Sequence, residues 1–376
     1  MKAALVTFPL YVNYGGILQC WALQNVISKF GYEVEVIHLP SPKVSLLNVV
    51  QNCFRKLQSY INHEGRQVPI KLTEFLQYNI AFGKTRRFIS KNINFTSKTY
   101  TLDNLVEINK TGYDVYVVGS DQIWRSYYAI RWLELYFLTF VEKQSRRIAY
   151  APSFGVDYSE YNQYEKTRYG EYYSMFDYVS VREESGLSLI EEYGWTSQRP
   201  CLHVLDPTML LTSDKYIDLL SLKRRRNQTV FVYLLSKNML RPIINEVSAL
   251  LGYKVATSIL LDDTFASVFK KRLSPIEWLE SIYNSEFVIT DSFHGCVFSI
   301  IFNKNFIIFG DNIRGNARLS SLLSMFNLSS RMVISEADFF NRKNELMLPI
   351  DYAEVNNILD QKRKESFDFL QEALSL

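Results

Sequence analysis

The 376-residue chain predicts an α/β protein made of two Rossmann-like domains that face each other across a cleft. Apolar strand patterns alternate with amphipathic helical patterns, which is typical of a parallel sheet covered by helices. The alternation stops at a polar, basic stretch, residues 221–228, and then starts again. The length also fits about two domains. We therefore expect ligands in the cleft, where strand ends and helix N-termini converge.

The composition excludes several classes of protein. Lys and Arg number 42 against 39 Asp and Glu, and a net charge of +3 does not suit a nucleic-acid binder. Four widely spaced cysteines without a CxxC pair argue against a zinc knot or a disulfide framework, and they favour a reducing compartment. No apolar run approaches the ~20 residues that span a bilayer, and no signal-peptide pattern opens the chain. We expect a soluble, cytoplasmic protein.

The first forty residues form a strand–turn–helix–strand unit, which favours a parallel sheet. Residues 2–8 and 33–39 are short strands. The helix 17–30 between them has its apolar residues largely on one face, and Gly31 is suited to end it in a left-handed conformation. The remaining elements of this domain, which we assign to residues 1–220, are strands at 113–118, 147–151 and 178–181, a helix at 183–193 and a strand ending near Leu205.

The second domain, assigned to residues 221–345, repeats the alternation. The last segment, residues 346–376, contains a predicted surface helix at 352–374. The predicted elements of the second domain are strands at 229–235, 253–258, 287–290 and 306–309 and helices at 240–251, 275–283 and 295–302.

Residues 43–110 interrupt the first domain and predict a helical insertion. Its stretches 44–61 and 73–89 are amphipathic. A segment that is basic on one face and aromatic on the other suits the surface of an anionic bilayer. A helical insertion that packs on the first domain explains the pattern equally well. The aromatic residues concerned are Phe54, Tyr60, Phe75, Tyr78, Phe82 and Phe88, and the basic ones include Lys56, Arg66, Lys71, Lys84, Arg86 and Arg87.

Two loops of the first domain carry candidate binding residues. The turn 13–16 has two glycines that let the backbone approach a ligand, and it opens a helix whose free N–H groups attract anions; a plain tight turn explains it as well. Asp121 follows the strand 113–118, where a carboxylate beside Ser120 suits a sugar hydroxyl or a general base. The alternative for this aspartate is a helix cap.

Arginines stand at the ends of two further predicted strands. Arg182 offers a planar, permanently charged fork for a phosphate or a carboxylate; the alternative is a salt bridge, for example to Glu183 or Glu184. Arg314 and Arg318 follow the last strand and could clamp an anion, unless they lie in a solvated loop.

The string 290–295 is the most informative one. A strand runs directly into Asp291, Ser292 and His294, and an apolar helix follows. A histidine at a helix N-terminus beside polar residues is placed to act in a cleft, because imidazole titrates near neutral pH. A core histidine is the alternative.

Taken in order, these strings resemble the polysaccharide pyruvyl transferase family. The resemblance spans residues 1 to about 330 and rests on the order and spacing of the motifs. They are Asn13-Tyr14-Gly15-Gly16 leading into Ile17-Leu18-Gln19, Val118-Gly119-Ser120-Asp121-Gln122-Ile123-Trp124, residues 148–155, Ser180-Val181-Arg182-Glu183, Leu205-Asp206-Pro207-Thr208 and Thr290-Asp291-Ser292-Phe293-His294-Gly295.

The resemblance implies a GT-B-like fold and the transfer of the enolpyruvyl group of phosphoenolpyruvate to a sugar, which closes into a pyruvate ketal and releases phosphate. It implies a histidine and cation clamps for phosphoenolpyruvate, which by position are His294, Arg182 and Arg314, with Arg318 as the alternative to Arg314. The methylene carbon of phosphoenolpyruvate must be protonated, and His294 is our candidate for this acid because imidazole titrates near neutral pH. We add Ser292 to the phosphoenolpyruvate site, and either Asp121 or Asp291 as the base. We expect no metal and no cofactor besides this co-substrate.

The acceptor is expected on the N-terminal side of the cleft. We predict a galactose-containing, lipid-linked precursor of a bacterial capsule or exopolysaccharide, ketalated at the 4- and 6-positions at the inner face of the cell membrane. Two alternatives remain: a nucleotide-sugar glycosyltransferase of the same shape, and a carbohydrate-binding homologue without activity. The predicted acceptor contacts are Asn13, Tyr14, Gly15, Gly16, Ser120, Asp121, Gln122 and Trp124.

Overall fold

Two parallel β-sheets, each covered by helices, form the framework of the computed structural model. The structure describes residues 1–40, 81–129, 132–225, 228–235, 240–257, 272–310 and 316–375. The strands at the centre of both sheets are buried on both faces. Continuous burial is expected of parallel strands that helices cover from both sides.

The first sheet has seven strands in the order β3-β2-β1-β4-β5-β6-β7, all parallel. This is the strand order of a Rossmann sheet with one further strand: β2 and β3 lie on one side of β1, and β4 and the strands after it lie on the other side. The strands are β1 (Lys2–Val6), β2 (Glu33–His38), β3 (Phe95–Thr99), β4 (Val115–Val118), β5 (Arg146–Ala149), β6 (Tyr178–Val181) and β7 (Leu202–His203).

The helices of this part are α1 (Tyr14–Lys29), α2 (Gly83–Asn92), α3 (Ser126–Ala129), α4 (Leu133–Tyr136), α5 (Gln163–Tyr173), α6 (Glu184–Glu192) and α7 (Ser213–Leu220), with 3₁₀ turns at Leu105–Thr111 and Pro207–Leu210.

The second sheet has five parallel strands in the order β12-β11-β10-β8-β9. Its strands are β8 (Thr229–Tyr233), β9 (Lys254–Thr257), β10 (Phe287–Thr290), β11 (Asn305–Phe309) and β12 (Met332–Val333). Its helices are α8 (Arg241–Leu251), α9 (Pro275–Asn284), α10 (Phe293–Ile301), α11 (Ala317–Met325) and α12 (Glu336–Leu346), with a 3₁₀ turn at Ser329–Arg331.

The segment predicted as a helical insertion contains a strand. Residues 95–99 form β3, which pairs with β2 at the edge of the first sheet, so the helical prediction is wrong there. The sequence signal is weak because most of this edge strand faces solvent and has no apolar alternation. The stretches predicted at 44–61 and 73–80 lie outside the described residues.

Helix α2 packs on the first domain through Phe88 and Ile89, which are buried in the same apolar cluster as Val34 and Val36. The described end of the insertion therefore behaves as a packed helix. Its aromatic side chain Phe88 is not available to a bilayer.

The C-terminal helix α13 (Tyr352–Leu374) contacts both domains. At its start, Tyr352 donates from its hydroxyl to the carbonyl oxygen of Ser299 at 3.3 Å. Near its end, Ser366 Oγ accepts from the backbone N–H of Leu205 at 3.0 Å. The helix was predicted as a surface helix, but one face of it is buried along its whole length and fastens the two domains together.

No helix in the described part of the chain combines the length and the apolar character needed to cross a bilayer.

Candidate active site

A cleft of about 350 Å³ lies between the two domains, at the carboxyl ends of their strands. The loops after β1 and β4 form one wall, and the loops after β8 and β10 together with α11 form the other. Ligands of parallel α/β sheets bind at such strand ends. The lining residues are Phe8, Asn13, Asp121, Gln122, Tyr128, Leu235, Asp291, Ser292, Phe293, His294, Arg318 and Leu319.

The glycine turn at the start of α1 brings the first domain against His294. Asn13 caps the helix and its Oδ1 accepts from the N–H of Gly15 at 3.1 Å. A Cβ built on Gly15 would lie only 2.1 Å from Nδ1 of His294, whereas one on Gly16 would meet nothing closer than 3.4 Å. Both glycines are predicted from the sequence to contact the acceptor. In the structure, the missing side chain of Gly15 leaves the space that the imidazole of His294 occupies.

Tyr14 is buried between the domains. Its hydroxyl donates to the carbonyl oxygen of Leu273 at 2.7 Å, and its ring lies 5.6 Å from that of Trp278 and 6.2 Å from that of Tyr233. Burial raises the pKa of the Tyr14 hydroxyl, which stays neutral. The predicted contact between Tyr14 and the acceptor is therefore wrong for this arrangement, because the side chain fills the domain interface.

His294 lines the cleft from the first turn of α10, with 8% of its side chain exposed. Ser292 caps this helix: its Oγ accepts from the N–H of Gly295 at 3.3 Å. Nε2 of His294 lies 3.6 Å from Oδ2 of Asp206, slightly beyond hydrogen-bond distance. Asp206 belongs to the first domain and is not among the site residues predicted from the sequence.

Arg182 lies beneath the cleft and does not line it. Its side chain is 1% exposed, and Nη1 donates to Oδ2 of Asp206 at 2.7 Å. The ring of Phe293 covers the guanidinium at 4.4 Å. Burial opposes its charge, but Asp206, Asp121 and Glu183 together hold the pKa of Arg182 above its ordinary value. We correct the predicted direct contact with phosphoenolpyruvate: the side chain is an internal ion-pair partner.

Arg318 does line the cleft, from the first turn of α11. Its guanidinium lies 5.8 Å from the centre of the Phe293 ring, and within the described residues its buried Nε has no hydrogen-bond partner. Burial and the nearby charge of Arg182 lower the pKa of Arg318 to about 10. Such a cation is stabilised when an anion enters the cleft. The other predicted clamp, Arg314, lies outside the described residues.

Both candidate bases line the cleft, on opposite walls. Asp121 has 13% of its side chain exposed, and its Oδ1 lies 3.8 Å from Nη2 of Arg182. Asp291 is 5% exposed, and its Oδ1 accepts from the N–H of Leu235 at 2.6 Å. The walls therefore present a carboxylate from each domain.

The neighbours of Asp121 differ in their access to the cleft. Gln122 lines the cleft, and its Oε1 accepts from Nη1 of Arg125 at 3.2 Å. Arg125, which is not among the residues predicted from the sequence, also pairs with Glu160 at 3.1 Å. Ser120 is 1% exposed and its hydroxyl donates to the carbonyl oxygen of Ala151 at 2.5 Å, so its predicted contact with the acceptor is wrong.

Trp124 is the clearest error among the predicted acceptor residues. It is fully buried, and its ring stacks on that of Phe137 with 5.2 Å between the centroids. Its Nε1 donates to the carbonyl oxygen of Tyr136 at 3.2 Å. The indole is part of an aromatic core and cannot stack on a sugar. Tyr128 is the aromatic residue of this loop that reaches the cleft.

A second cavity of about 270 Å³ adjoins the cleft, and Phe8 lines both. Most of its wall is apolar and comes from the ends of β1 and β2. Among its lining residues are Pro9, Leu10, Val36, Leu39, Ile89 and Phe95.

The fold is similar to several solved structures. An S. aureus MnaA–UDP co-structure superposes with a TM-score of 0.50 at 12% identity, over 99% of this chain and 96% of that one. A UDP-GlcNAc 2-epimerase from Neisseria meningitidis bound to UDP-GlcNAc gives 0.48 at 10% identity, over 99% and 100%. Spinosyn rhamnosyltransferase SpnG gives 0.46 at 11%, over 99% of each chain. The two-domain arrangement is of the GT-B type, as predicted. No protein of curated function matches this chain.

The sequence model described as polysaccharide pyruvyl transferase matches residues 13–312. The match begins at the capping residue Asn13 of the glycine turn and includes Asp121, Arg182, Asp206 and His294. It takes in well over half of the chain, and the family is one of transferases. This confirms the resemblance found in the sequence: the chain belongs to the polysaccharide pyruvyl transferase family.

Proposed function

We propose that the protein transfers the enolpyruvyl group of phosphoenolpyruvate to a sugar, forms a pyruvate ketal and releases phosphate. The observation that carries this proposal is the meeting of Arg318 and His294 with two carboxylates in one cleft between the domains. The donor is strongly anionic, and its phosphate and carboxylate need cationic partners. Arg318 is the described cation on the wall that has unused hydrogen-bonding capacity.

His294 supplies the proton that starts the reaction. Its imidazolium gives a proton to the methylene carbon of phosphoenolpyruvate, so that the double bond is lost and positive charge develops at C2. A sugar hydroxyl attacks C2 and passes its proton to Asp121 or Asp291. The bond between C2 and the phosphate oxygen then breaks, and a second hydroxyl closes the ketal. Of the two protons released by the sugar hydroxyls, one restores the histidine and the other leaves with phosphate, so that the carboxylate base is also restored.

The acceptor binds on the wall formed by the first domain. Asn13, Asp121 and Gln122 offer amide and carboxylate groups for sugar hydroxyls, and Tyr128 offers an aromatic face. The rest of the acceptor continues past Phe8 into the second cavity, whose wall is mostly apolar. We propose a galactose-containing, lipid-linked acceptor of capsule or exopolysaccharide synthesis, used at the inner face of the cell membrane.

The membrane part of this proposal has its own test. Arg86 and Arg87 both lie on α2: Arg87 is exposed, whereas Arg86 is partly buried and lines the second cavity. Flotation with anionic liposomes should recover the wild type, and Arg86→Glu with Arg87→Glu should lose this binding. Absence of binding by the wild type would leave a protein that meets its acceptor away from the membrane.

Donor choice is tested by incubating the protein with phosphoenolpyruvate and a panel of lipid-linked galactose, glucose and mannose acceptors. Mass spectrometry should detect one added pyruvate ketal on the galactose acceptor, and phosphate should appear in equal amount. A matched panel with nucleotide sugars is the control. Glycosyl transfer from a nucleotide sugar, with no ketal from phosphoenolpyruvate, would overturn the proposal.

A further inference from the structure

His294 belongs to the second domain, but two of its closest neighbours come from the first. Gly15 at the start of α1 lies against the imidazole, where a Cβ would come within 2.1 Å of Nδ1. Asp206 lies on the other side, with Oδ2 at 3.6 Å from Nε2. The imidazole is therefore held in a slot of the opposite domain.

Asp206 is held firmly at the bottom of this slot. Its side chain is fully buried, and Oδ1 accepts from both the backbone N–H of Thr208 at 3.0 Å and its hydroxyl at 2.6 Å. Oδ2 is left for Arg182 and His294. Burial opposes the ionised carboxylate, but the charges of His294 and Arg182 and the Thr208 hydrogen bond keep the pKa of Asp206 far below its ordinary value. The carboxylate is thus a fixed negative charge.

We propose that Asp206 is a positioning residue that orients the imidazolium of His294 from the opposite domain, so that the proton donor is complete only where the two domains meet. This inference rests on the proposed function. It assigns no proton transfer to Asp206, which is shielded from the cleft.

Other charges also surround the imidazole. Asp291 comes from its own loop and Asp121 from across the cleft. The guanidinium groups of Arg182 and Arg318 lie at 4.4 and 5.8 Å from the Phe293 ring, which in turn contacts the imidazole edge to face. Asp206 differs from the two cleft carboxylates in that it faces Nε2 from inside the fold.

Asp206→Asn is the first test. The amide oxygen is expected at the position of Oδ1, where Thr208 donates to it, and the NH2 group then takes the position of Oδ2. The variant therefore loses the negative charge that faces both Nε2 of His294 and Nη1 of Arg182. We expect kcat at pH 7 to fall by about 10²-fold, the lower end of a general acid's contribution, while KM for phosphoenolpyruvate changes little. The activity of an enzyme with an essential acid falls as pH rises. In the variant this fall should occur at lower pH, by about one unit or more.

Two further variants keep the test decisive if Asp206→Asn folds poorly. Thr208→Val removes the hydroxyl from Oδ1 but leaves the ion pair with Arg182, and should shift the pH profile in the same direction by less. In Gly15→Ala the added methyl group would clash with the imidazole of His294 and displace it, so this variant should also lower kcat. Gly83→Ala is its matched control, because this glycine also lies in the first turn of a helix and a Cβ there meets nothing within 4 Å.

A readout without turnover separates this inference from the proposed function. The chain has four histidines, so the ring signals of His294 can be followed by NMR as pH is changed. Its midpoint should lie lower in Asp206→Asn than in the wild type, with or without any activity towards phosphoenolpyruvate. An unchanged midpoint and an unchanged pH profile in the folded variants would overturn the inference. An inactive wild type with a shifted midpoint would overturn only the proposed function.

Discussion

Arg182 and Arg318 differ in what surrounds them, although a single sequence pattern suggested both as anion clamps. Arg182 is closed off under Phe293 and paired with Asp206 at 2.7 Å, whereas Arg318 lines the cleft. Removing one partner of a buried pair destabilises a protein by about 3–5 kcal/mol, because the other charge stays buried. A lost charge-assisted contact to a bound anion costs about 1.5–3 kcal/mol of binding.

We therefore predict opposite signatures for the two Gln variants. Arg318→Gln should raise KM for phosphoenolpyruvate by about 10–100-fold with little change in Tm. Arg182→Gln should lower the free energy of unfolding by about 3–5 kcal/mol. Kinetics and urea unfolding of the two purified variants check this. A normal KM in Arg318→Gln would remove that residue from the donor site.

His294→Gln tests the proton donor. Glutamine keeps much of the size and hydrogen bonding of the imidazole but does not titrate, so kcat should fall by about 10²–10⁴-fold while the protein folds normally. Turnover should be measured between pH 6 and 8, with circular dichroism as the check on folding. Near-normal turnover across this range would move the acid to Asp121 or Asp291.

The sequence predicts correctly for some residues that they reach the cleft after a strand, although Arg182 also follows a strand and does not line the cleft. His294, Asp291 and Asp121 are all in the cleft, because the ends of parallel strands meet at one edge. Asp206 could not be assigned, since its contact with His294 depends on how two domains pack. The prediction that Trp124 contacts the acceptor was wrong, because the sequence does not distinguish an aromatic residue of the core from one that stacks on a sugar.

At the scale of elements, α13 supports the loop that carries Asp206. Ser366 Oγ accepts from the buried N–H of Leu205, the residue before this aspartate. Ser366→Ala leaves that N–H without its partner and should lower the free energy of unfolding by about 1–3 kcal/mol in urea. Ser174→Ala is the matched control, because this serine is exposed and we expect a change within about 0.5 kcal/mol. Equal values for the two variants would show that α13 does not support this loop.

Element positions followed from periodicity wherever apolar residues face a core. The strand at Phe287–Thr290 and the helix at Tyr352–Leu374 have the predicted bounds. The strand at Phe95–Thr99 was missed because an exposed edge strand carries little apolar alternation. This strand is held in the sheet by backbone hydrogen bonds to β2, and a local sequence pattern does not indicate such pairing.

At the scale of the molecule, the site is a property of the pair of domains. The first contributes Asp121, Gly15 and Asp206, and the second contributes His294 and Arg318. The GT-B arrangement was predictable from two runs of alternating strands and helices. Which side chains meet across the cleft was not, because it depends on the relative placement of two separately patterned sheets.

The most direct test of the central claim is the release of phosphate from phosphoenolpyruvate by the purified protein, with and without a lipid-linked galactose acceptor. We predict release only when acceptor is present, one pyruvate ketal on the acceptor for each phosphate, and loss of both in His294→Gln. Equal phosphate release with and without the acceptor would contradict the claim, and so would an acceptor that gains a sugar and no ketal.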